Sequence, residues 1–165
     1  MSFFNKYSGK AFQGQIDLLT DTISVVAIED SVNNIWETFE DLNNNVSGFV
    51  SSIIPLQNKS IFENSDGGRA FDADNLTISL NNDTVQNIVL FKDTGDPATS
   101  PLIYFTDFSV SGITGNIDLQ FNSKGIFQIK DGFRNDLYWS AIEDILIGNL
   151  DVTSDTLTLM AISEQ

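Results

Sequence analysis

Acidic side chains are the residues of this chain whose type and spacing could support chemistry. The 165 residues include 23 Asp and Glu against 8 Lys and Arg, and histidine and cysteine are both absent. Without these two residue types the chain lacks the commonest general base, the thiol nucleophile and the soft metal ligands. A disulfide framework is excluded as well, so the fold must be held by core burial.

One pair of carboxylates has a spacing that could hold a cation. Asp72 and Asp74 lie one residue apart, on one face of a predicted strand, and Asp66 or Asn64 could add oxygen ligands of the kind that Ca²⁺ prefers. The ligand spacing of a calcium loop is missing, since no bidentate Glu follows at the required position. We interpret the motif as a structural turn and predict no metal site.

A second motif, Asp93-Thr94-Gly95, is similar to the catalytic motif of aspartic proteases. Those enzymes need two such aspartates sharing a proton across a buried cleft, and this chain has one copy. Pro97 follows closely, which favours a turn at the end of a strand. Glycine-rich phosphate loops and nucleophile elbows are absent from the sequence. We therefore predict no catalytic residue, no cofactor and no enzymatic activity.

The acidic net charge of the chain indicates which classes of partner it disfavours. The net charge is −15 and the basic residues are dispersed, which works against binding to nucleic acids or to anionic membrane surfaces. No apolar run reaches the roughly 18 residues of a membrane-spanning helix. The N-terminus lacks the long apolar segment of a signal peptide, so we expect synthesis in a cytoplasm.

Alternation of apolar residues predicts that β-strands make up most of the chain. Residues 22–28 are β-branched and alternating, and the continuous apolar run 85–92 indicates a strand covered on both faces. Further strands are predicted within residues 49–56, 70–80, 102–108, 117–121 and 126–129. Turn-forming residues at 66–68, 81–83 and 95–97 separate these runs. The spacing predicts an antiparallel β-sandwich, Ig-like or jelly-roll-like.

Short amphipathic helices are predicted near both ends of the chain. Apolar residues recur at helical spacing in residues 3–12, 32–42 and 135–147. A last strand is predicted near residues 157–162. The chain therefore divides into a β-sandwich domain at residues 1–130, with the N-terminal helix, and a helix-strand extension at 131–165.

The extension is similar in sequence pattern to residues 3–28. Residues 14–28 align without gaps to residues 148–162, and both segments follow an aromatic helix. The identical pairs are Gly14/Gly148, Asp17/Asp151, Asp21/Asp155, Thr22/Thr156, Ala27/Ala161 and Ile28/Ile162. Two interpretations remain open. One strand pattern arose twice, or the C-terminal pair occupies an equivalent slot in the same sheet or in a neighbouring subunit.

Four segments carry a resemblance to a known group of proteins. They are GQIDLLTDTI at 14–23, RAFDADN at 69–75, IVLFKDTGDPATSPLI at 88–103 and GIF at 125–127. In this order they resemble a widespread group of small virion proteins of tailed bacteriophages. The resemblance covers roughly residues 5–130, and the third segment is its most specific part. The chain departs from the group in the predicted Trp36 helix and in residues 131–165.

The resemblance implies a β-sandwich without enzymatic activity that assembles in many copies on a phage particle. We expect a capsid decoration (cement) protein that stabilises the shell as a homo-oligomer, with a trimer as the expected form, bound to the major capsid protein. A neck, tail or fibre-attachment component, contacting portal or tail proteins, is the first alternative. A host-glycan or Ca²⁺-dependent adhesion module is the second.

Aromatic and apolar residues of the two terminal units are the expected partner contacts, because such side chains bury much area at low entropic cost. They are Phe3, Phe4, Tyr7, Phe12, Tyr138, Trp139, Ile142, Leu157 and Leu159. The N-terminal aromatic residues would equally suit covering an open face of the chain's own sheet.

Overall fold

The chain is mainly β, with antiparallel sheets. The computed structural model describes residues 2–3, 5–29, 41–42, 49–63, 68–121 and 123–129. The strands are β1 (Ser2–Phe3), β2 (Ile23–Ile28), β3 (Ile54–Pro55), β4 (Ser60–Glu63), β5 (Arg69–Asp72), β6 (Leu76–Lys92), β7 (Leu102–Leu119) and β8 (Phe127–Ile129). Helix α1 spans Asn5–Phe12, and a 3₁₀ turn spans Pro97–Thr99.

Within the described residues the strands form two sheets. The larger sheet has the order β1-β7-β6-β2-β3 and the smaller has the order β4-β5-β8, with antiparallel pairing throughout. The long strands β6 and β7 pair along almost their whole length, from Leu76 opposite Leu119 to Phe91 opposite Leu102. The β6–β7 hairpin has the longest strand pairing in the larger sheet.

Strands β2 and β6 are covered on both faces, as the apolar run 85–92 predicts. All six residues of β2 are buried. Val25, Ile88 and Leu90 belong to one core cluster, whereas Val26 and Val89 belong to a second cluster on the opposite face. Because successive side chains of a strand point to opposite faces, a continuous apolar run is what such a position requires.

The first core cluster contains side chains of both sheets. Phe71 of β5 and Phe127 of β8 share it with Val25 of β2 and Leu90 of β6. Tyr7 of α1 belongs to the same cluster. The smaller sheet and the helix therefore pack against one face of the larger sheet.

The turn predicted at residues 81–83 is wrong. These residues continue β6, with irregular pairing to β7 between Asn81 and Asn87. Likewise β7 runs unbroken through Gly112 and Gly115, both with positive φ. Pairing with the partner strand keeps these residues in the sheet despite their preference for turns. The turn-forming residues then appear as β-bulges, which bend the strand locally. The separate strands predicted at 102–108 and 117–121 are thus parts of one.

Other element boundaries also differ from the prediction. The strand predicted at 70–80 is divided, with β5 ending at Asp72 and β6 beginning at Leu76. Asp74 therefore lies in a connection, outside the strand that holds Asp72. Among the described residues α1 is the one α-helix longer than a turn. The helix predicted at 32–42, apart from its last two residues, and the whole extension 131–165 lie outside the described residues.

Candidate functional site

A salt bridge connects the loop of residues 14–21 to the end of β6. Nζ of Lys92 lies 2.8 Å from Oδ2 of Asp21 and also donates to the carbonyl oxygen of Gln15 at 2.8 Å. Oδ2 of Asp21 accepts from the backbone N–H of Asp17 at 2.7 Å. Lys59 donates to the carbonyl oxygen of Asp21. Two of the eight basic residues of the chain, Lys59 and Lys92, therefore contact this loop.

Burial and neighbouring charge act in opposite directions on Lys59. Partial burial lowers the pKa of Lys59, because desolvation disfavours the charged ammonium, while the nearby carboxylates of Asp21 and Asp17 raise it. The net direction is downward. The contact to Asp21 thus positions the loop but does not fully compensate the loss of water around Lys59.

Asp17 shapes the same loop from inside. One carboxylate oxygen accepts from the backbone N–H of Leu19 at 2.8 Å and from that of Thr20 at 3.0 Å. The flanking Ile16 and Leu18 are completely buried in the core. The Ile-Asp-Leu motif therefore has a buried apolar residue on each side of an acid, and this acid closes the turn at residues 17–20, a local bonding pattern that Asp favours.

The GIF segment contacts the Phe-Asp-Ala-Asp segment across the smaller sheet. The backbone N–H of Ile126 donates to the carbonyl oxygen of Phe71 at 2.8 Å, and the rings of Phe71 and Phe127 lie 5.3 Å apart between centroids. Gly125 has φ of +80°, and a Cβ placed there would lie 2.6 Å from the carbonyl oxygen of Phe71. A glycine is required at this position by conformation and by space.

The Asp-Thr-Gly motif is the turn that the sequence predicts. Oδ1 of Asp93 accepts from the N–H of Gly95 at 2.9 Å, and Oδ1 of Asp96 accepts from the N–H of Ala98 at 2.9 Å. The hydroxyl of Thr94 lies 3.1 Å from that of Ser100. The polar side chains of this connection bind one another and the local backbone, as in many tight turns.

The four motif segments thus meet in pairs. The Asp21 loop contacts Lys92 and, through the N–H of Asp93 on the carbonyl oxygen of Thr22 at 2.8 Å, the start of the turn. The GIF segment contacts Phe71. Residues that look like motifs in the sequence therefore make contacts that hold the fold together.

A cavity of about 470 Å³ opens between the larger sheet and the segment that leads into β8. Val25, Ile88 and Leu90 line it on the sheet side, and Phe121 and Ile126 line it on the other. Tyr104, Thr106, Leu119, Gln120, Lys124, Gly125, Phe127 and Gln128 complete the lining. Most of these side chains are apolar, as in most small-molecule sites, and the volume is in their usual range.

Tyr104 lies at the junction of the cavity and the core. Its ring centroid is 5.3 Å from that of Phe127, and burial raises the pKa of its phenol. A neutral phenol can donate or accept a hydrogen bond but carries no charge into the cavity.

The predicted partner contacts are only in part within the described residues. Tyr7 is 5% exposed and packs in the core of its own chain, and burial raises the pKa of its phenol. Phe12 is half-buried against the same core, and Phe3 lies in β1 opposite Tyr104. Phe4 and the five C-terminal residues, Tyr138, Trp139, Ile142, Leu157 and Leu159, lie outside the described residues. Their role in partner contacts stays a prediction.

Of the candidate carboxylate pair, Asp74 has local partners, whereas Oδ1 of Asp72 is buried and has no hydrogen-bond partner among the described residues. The N–H of Asp74 donates to the carbonyl oxygen of Gln57 at 3.0 Å, and Oδ2 of Asp74 accepts from Nδ2 of Asn58 at 2.6 Å. Across the part of the chain that the structure describes, no three acidic residues cluster closely enough to hold a metal ion. No helix in that part is long and apolar enough to cross a membrane.

Comparison with known proteins finds no matching family model, no matching curated protein and no matching solved structure. The site that the sequence did not predict is the cavity. Its lining comes from β2, β6, β7, β8 and the segment before β8, and the apolar members resemble ordinary core residues in the sequence.

Proposed function

We propose that this chain is a non-enzymatic structural protein of a tailed-bacteriophage virion, whose two sheets form a β-sandwich, and that it decorates the capsid shell. The observation that carries the proposal is the pairwise contact of the motif segments. Lys92 binds Asp21, and Ile126 binds Phe71. These contacts support the resemblance. They join residues of the four motif segments, which gives a structural reason for those segments to occur together in one chain.

Charge and core are consistent with this role. A net charge of −15 keeps a protein made in many copies soluble before assembly and away from packaged DNA. The core has two clusters, one on each face of the larger sheet, so the central strands of this sheet are buried on both sides. The expected partners are the major capsid protein and further copies of the chain, located in the virion after synthesis in the host cytoplasm.

The test is the copy number in virions purified from the phage that encodes the chain, measured by quantitative mass spectrometry against the major capsid protein. Decoration predicts a fixed ratio to the capsid protein over the whole shell. A few copies per particle would replace decoration by a neck, tail or fibre-attachment role. Absence from the purified virion would overturn the virion proposal altogether.

A second measurement addresses the alternative of an adhesion module. Isothermal titration of the full-length chain with Ca²⁺ and with a panel of host glycans is expected to show no saturable heat. Saturable binding to a glycan, lost on removal of Ca²⁺, would favour adhesion over decoration. Asp74→Asn is the matched variant there, because it changes one acid of the sequence-predicted cation motif and retains an oxygen to accept from Asn58.

A further inference from the structure

The outer edge of β7, residues 106–119, is the longest strand edge that has no partner strand among the described residues. Strand β1 pairs with Tyr104 and Phe105, and no described strand continues along the edge beyond them. Gly112 and Gly115 are exposed, and because a glycine has no side chain, the backbone is accessible at both positions. An accessible edge of this kind presents N–H and C=O groups to which a further strand can add.

The last part of the outer edge is regular and has two different faces. Residues 114–119 pair with residues 76–81 of β6 in six consecutive pairs without a shift of register. On one face Ile117 and Leu119 are half-buried against the first core cluster. The side chains on the other face are exposed and polar: Thr114, Asn116 and Asp118. A strand added here would extend an apolar face on one side and a polar face on the other.

The chain carries a second copy of the segment that fills the opposite side of the β6–β7 hairpin. In residues 14–28 a loop leads into β2, and β2 pairs with β6 along all six of its residues. Asp17 and Asp21 close this loop by accepting from backbone N–H groups within it. Both acids are identical in residues 148–162, which lie outside the described residues. The bonds that shape the first loop therefore have their acceptors in the second segment as well.

The burial of β2 shows what the matching strand requires. All six side chains of β2 are buried. The five apolar ones align with apolar residues in every case: Ile23 with Leu157, Val25 with Leu159, Val26 with Met160, Ala27 with Ala161 and Ile28 with Ile162. A segment of this pattern needs a neighbouring strand and an apolar layer to cover it, because water would otherwise surround its side chains. Since β2 itself already lies beside β6, the outer edge of β7 is the remaining side of the hairpin.

We infer that residues 157–162 of one copy of this chain add as a strand to the outer edge of β7 in a second copy. The exposure of Gly112 and Gly115 within a single chain favours a second copy over the chain's own C-terminal segment. The inference rests on the proposed function, because it names the contact that would join copies in the homo-oligomer. Donor strand and acceptor edge are different surfaces, so the contact is heterologous and can close into a ring such as the expected trimer.

Disulfide trapping tests the contact, and the absence of cysteine from the chain makes it specific. Full-length Thr158→Cys is mixed with full-length Thr114→Cys, Asn116→Cys or Asp118→Cys, and an affinity tag on one variant identifies mixed dimers. The alternation of side chains places Thr158 on the face of these three residues when Leu157 and Leu159 extend the apolar face. We expect at least one mixture to form a disulfide-linked mixed dimer.

The control is Ser52→Cys, an exposed position beside β3 at the opposite end of the larger sheet. The yield of mixed dimer with Thr158→Cys is expected to be about tenfold or more lower for this control than for the best edge variant. The physical reason is the effective concentration, which reaches the millimolar range for thiols held together by a bound strand.

A second measurement uses the mass of the full-length chain in solution by sedimentation velocity. Leu159→Lys places a charge in the apolar face of the added strand and is expected to convert the oligomer to a monomer. Ser163→Lys adds the same charge just beyond the strand and is expected to leave the oligomer intact. Circular dichroism verifies that both variants are folded. The trapping experiment decides alone where Leu159→Lys fails to fold.

Three outcomes would overturn the inference. The first is a yield of mixed dimer no higher than that of Ser52→Cys in all three mixtures. The second is a disulfide within one chain that carries both cysteines at high dilution, which would assign the edge to the chain's own C-terminal segment. The third is a monomeric original chain. Each leaves the proposed function standing, because the copy number in virions is measured independently.

Discussion

Nζ of Lys92 lies 2.8 Å from Oδ2 of Asp21, although 70 residues separate the two in the sequence. The contact holds the loop before β2 against the last residue of β6, its neighbour in the sheet. Both side chains are roughly a quarter exposed, so solvent weakens the pair without removing it. The backbone bond from the N–H of Asp93 to the carbonyl oxygen of Thr22 lies directly beside it.

A double-mutant cycle measures this pair. We expect Lys92→Met and Asp21→Asn each to lower the free energy of unfolding, with a coupling energy of about 0.5–1 kcal/mol between them. Asn at position 21 still offers an oxygen to the N–H of Asp17, so the cycle isolates the charge. Urea unfolding of the four proteins gives the coupling. Strictly additive effects would show that the pair contributes nothing to stability.

Two glycines with nearly equal φ separate conformational strain from steric clash. Gly125→Ala should destabilise the chain by about 2 kcal/mol or more, since it combines a positive φ with a Cβ at 2.6 Å from the carbonyl oxygen of Phe71. Gly95→Ala has φ of +82° and nothing within 4 Å of its new Cβ, so we expect about 1 kcal/mol. Thermal and urea unfolding compare the two. Equal losses would mean that the contact with Phe71 relaxes without cost.

The carboxylate of Asp17 is expected to stabilise its loop measurably. Asp17→Ala removes the acceptor for the N–H groups of Leu19 and Thr20, and we expect a loss of about 1–2 kcal/mol in the free energy of unfolding. Asp118→Ala is the control, because this exposed acid accepts from Thr77 across the surface of the β6–β7 hairpin. We expect it to cost about 0.5 kcal/mol or less. A loss at Asp17 no larger than that at Asp118 would contradict the role given to the Ile-Asp-Leu motif.

Stability should fall in alkaline solution because of the buried phenols. Burial raises the pKa of Tyr7 above its ordinary value of 10.0, and that of Tyr104 in the same direction. The unfolded chain therefore releases these protons first as the pH rises above about 10, so their contribution is intact below that pH and is lost above it. The pKa of Lys59 is lowered from its ordinary value of 10.5, so the folded chain releases this proton before the unfolded chain does. This contribution therefore makes stability rise with pH, up to about pH 10.5.

Tyr7→Phe tests this pH dependence. Above pH 10 the variant should lose stability less steeply than the original chain, by about 1.4 kcal/mol per pH unit, the value for one proton. Urea unfolding between pH 9 and pH 11.5 measures both slopes, and the neutral-pH difference between the two proteins serves as the baseline. Parallel slopes would show that the Tyr7 phenol ionises as readily in the folded chain as in the unfolded one.

The strand character of much of the fold can be predicted from local sequence. Residues 22–28 and 85–92 are strands as expected, and the continuous apolar run at 88–91 correctly indicates coverage on both faces. The turn predicted at residues 95–97 is also confirmed. These features depend on β-branching, alternation and the bonding habits of Asp, Thr and Gly, all of which act within a few residues.

The candidate site could not be predicted in the same way. Residues of the sequence motifs make contacts that hold the fold together. Some of them, such as Ile88, Leu90 and Ile126, also line the cavity, but in the sequence they look like ordinary core residues. An apolar side chain carries no local sign of whether a neighbour fills the space beside it, because that space is set by elements distant in the chain.

By itself the sequence determined that this is a mainly β chain without histidine or cysteine chemistry, since composition and short-range periodicity suffice for both. Only the tertiary structure decided that residues 81–83 continue a strand, because pairing with β7 outweighs the local turn preference of Asn and Asp. Only the tertiary structure placed Asp21 beside Lys92 and Gly125 against Phe71. Such contacts join residues far apart in the chain, so they are determined by how the sheets pack and not by any segment alone.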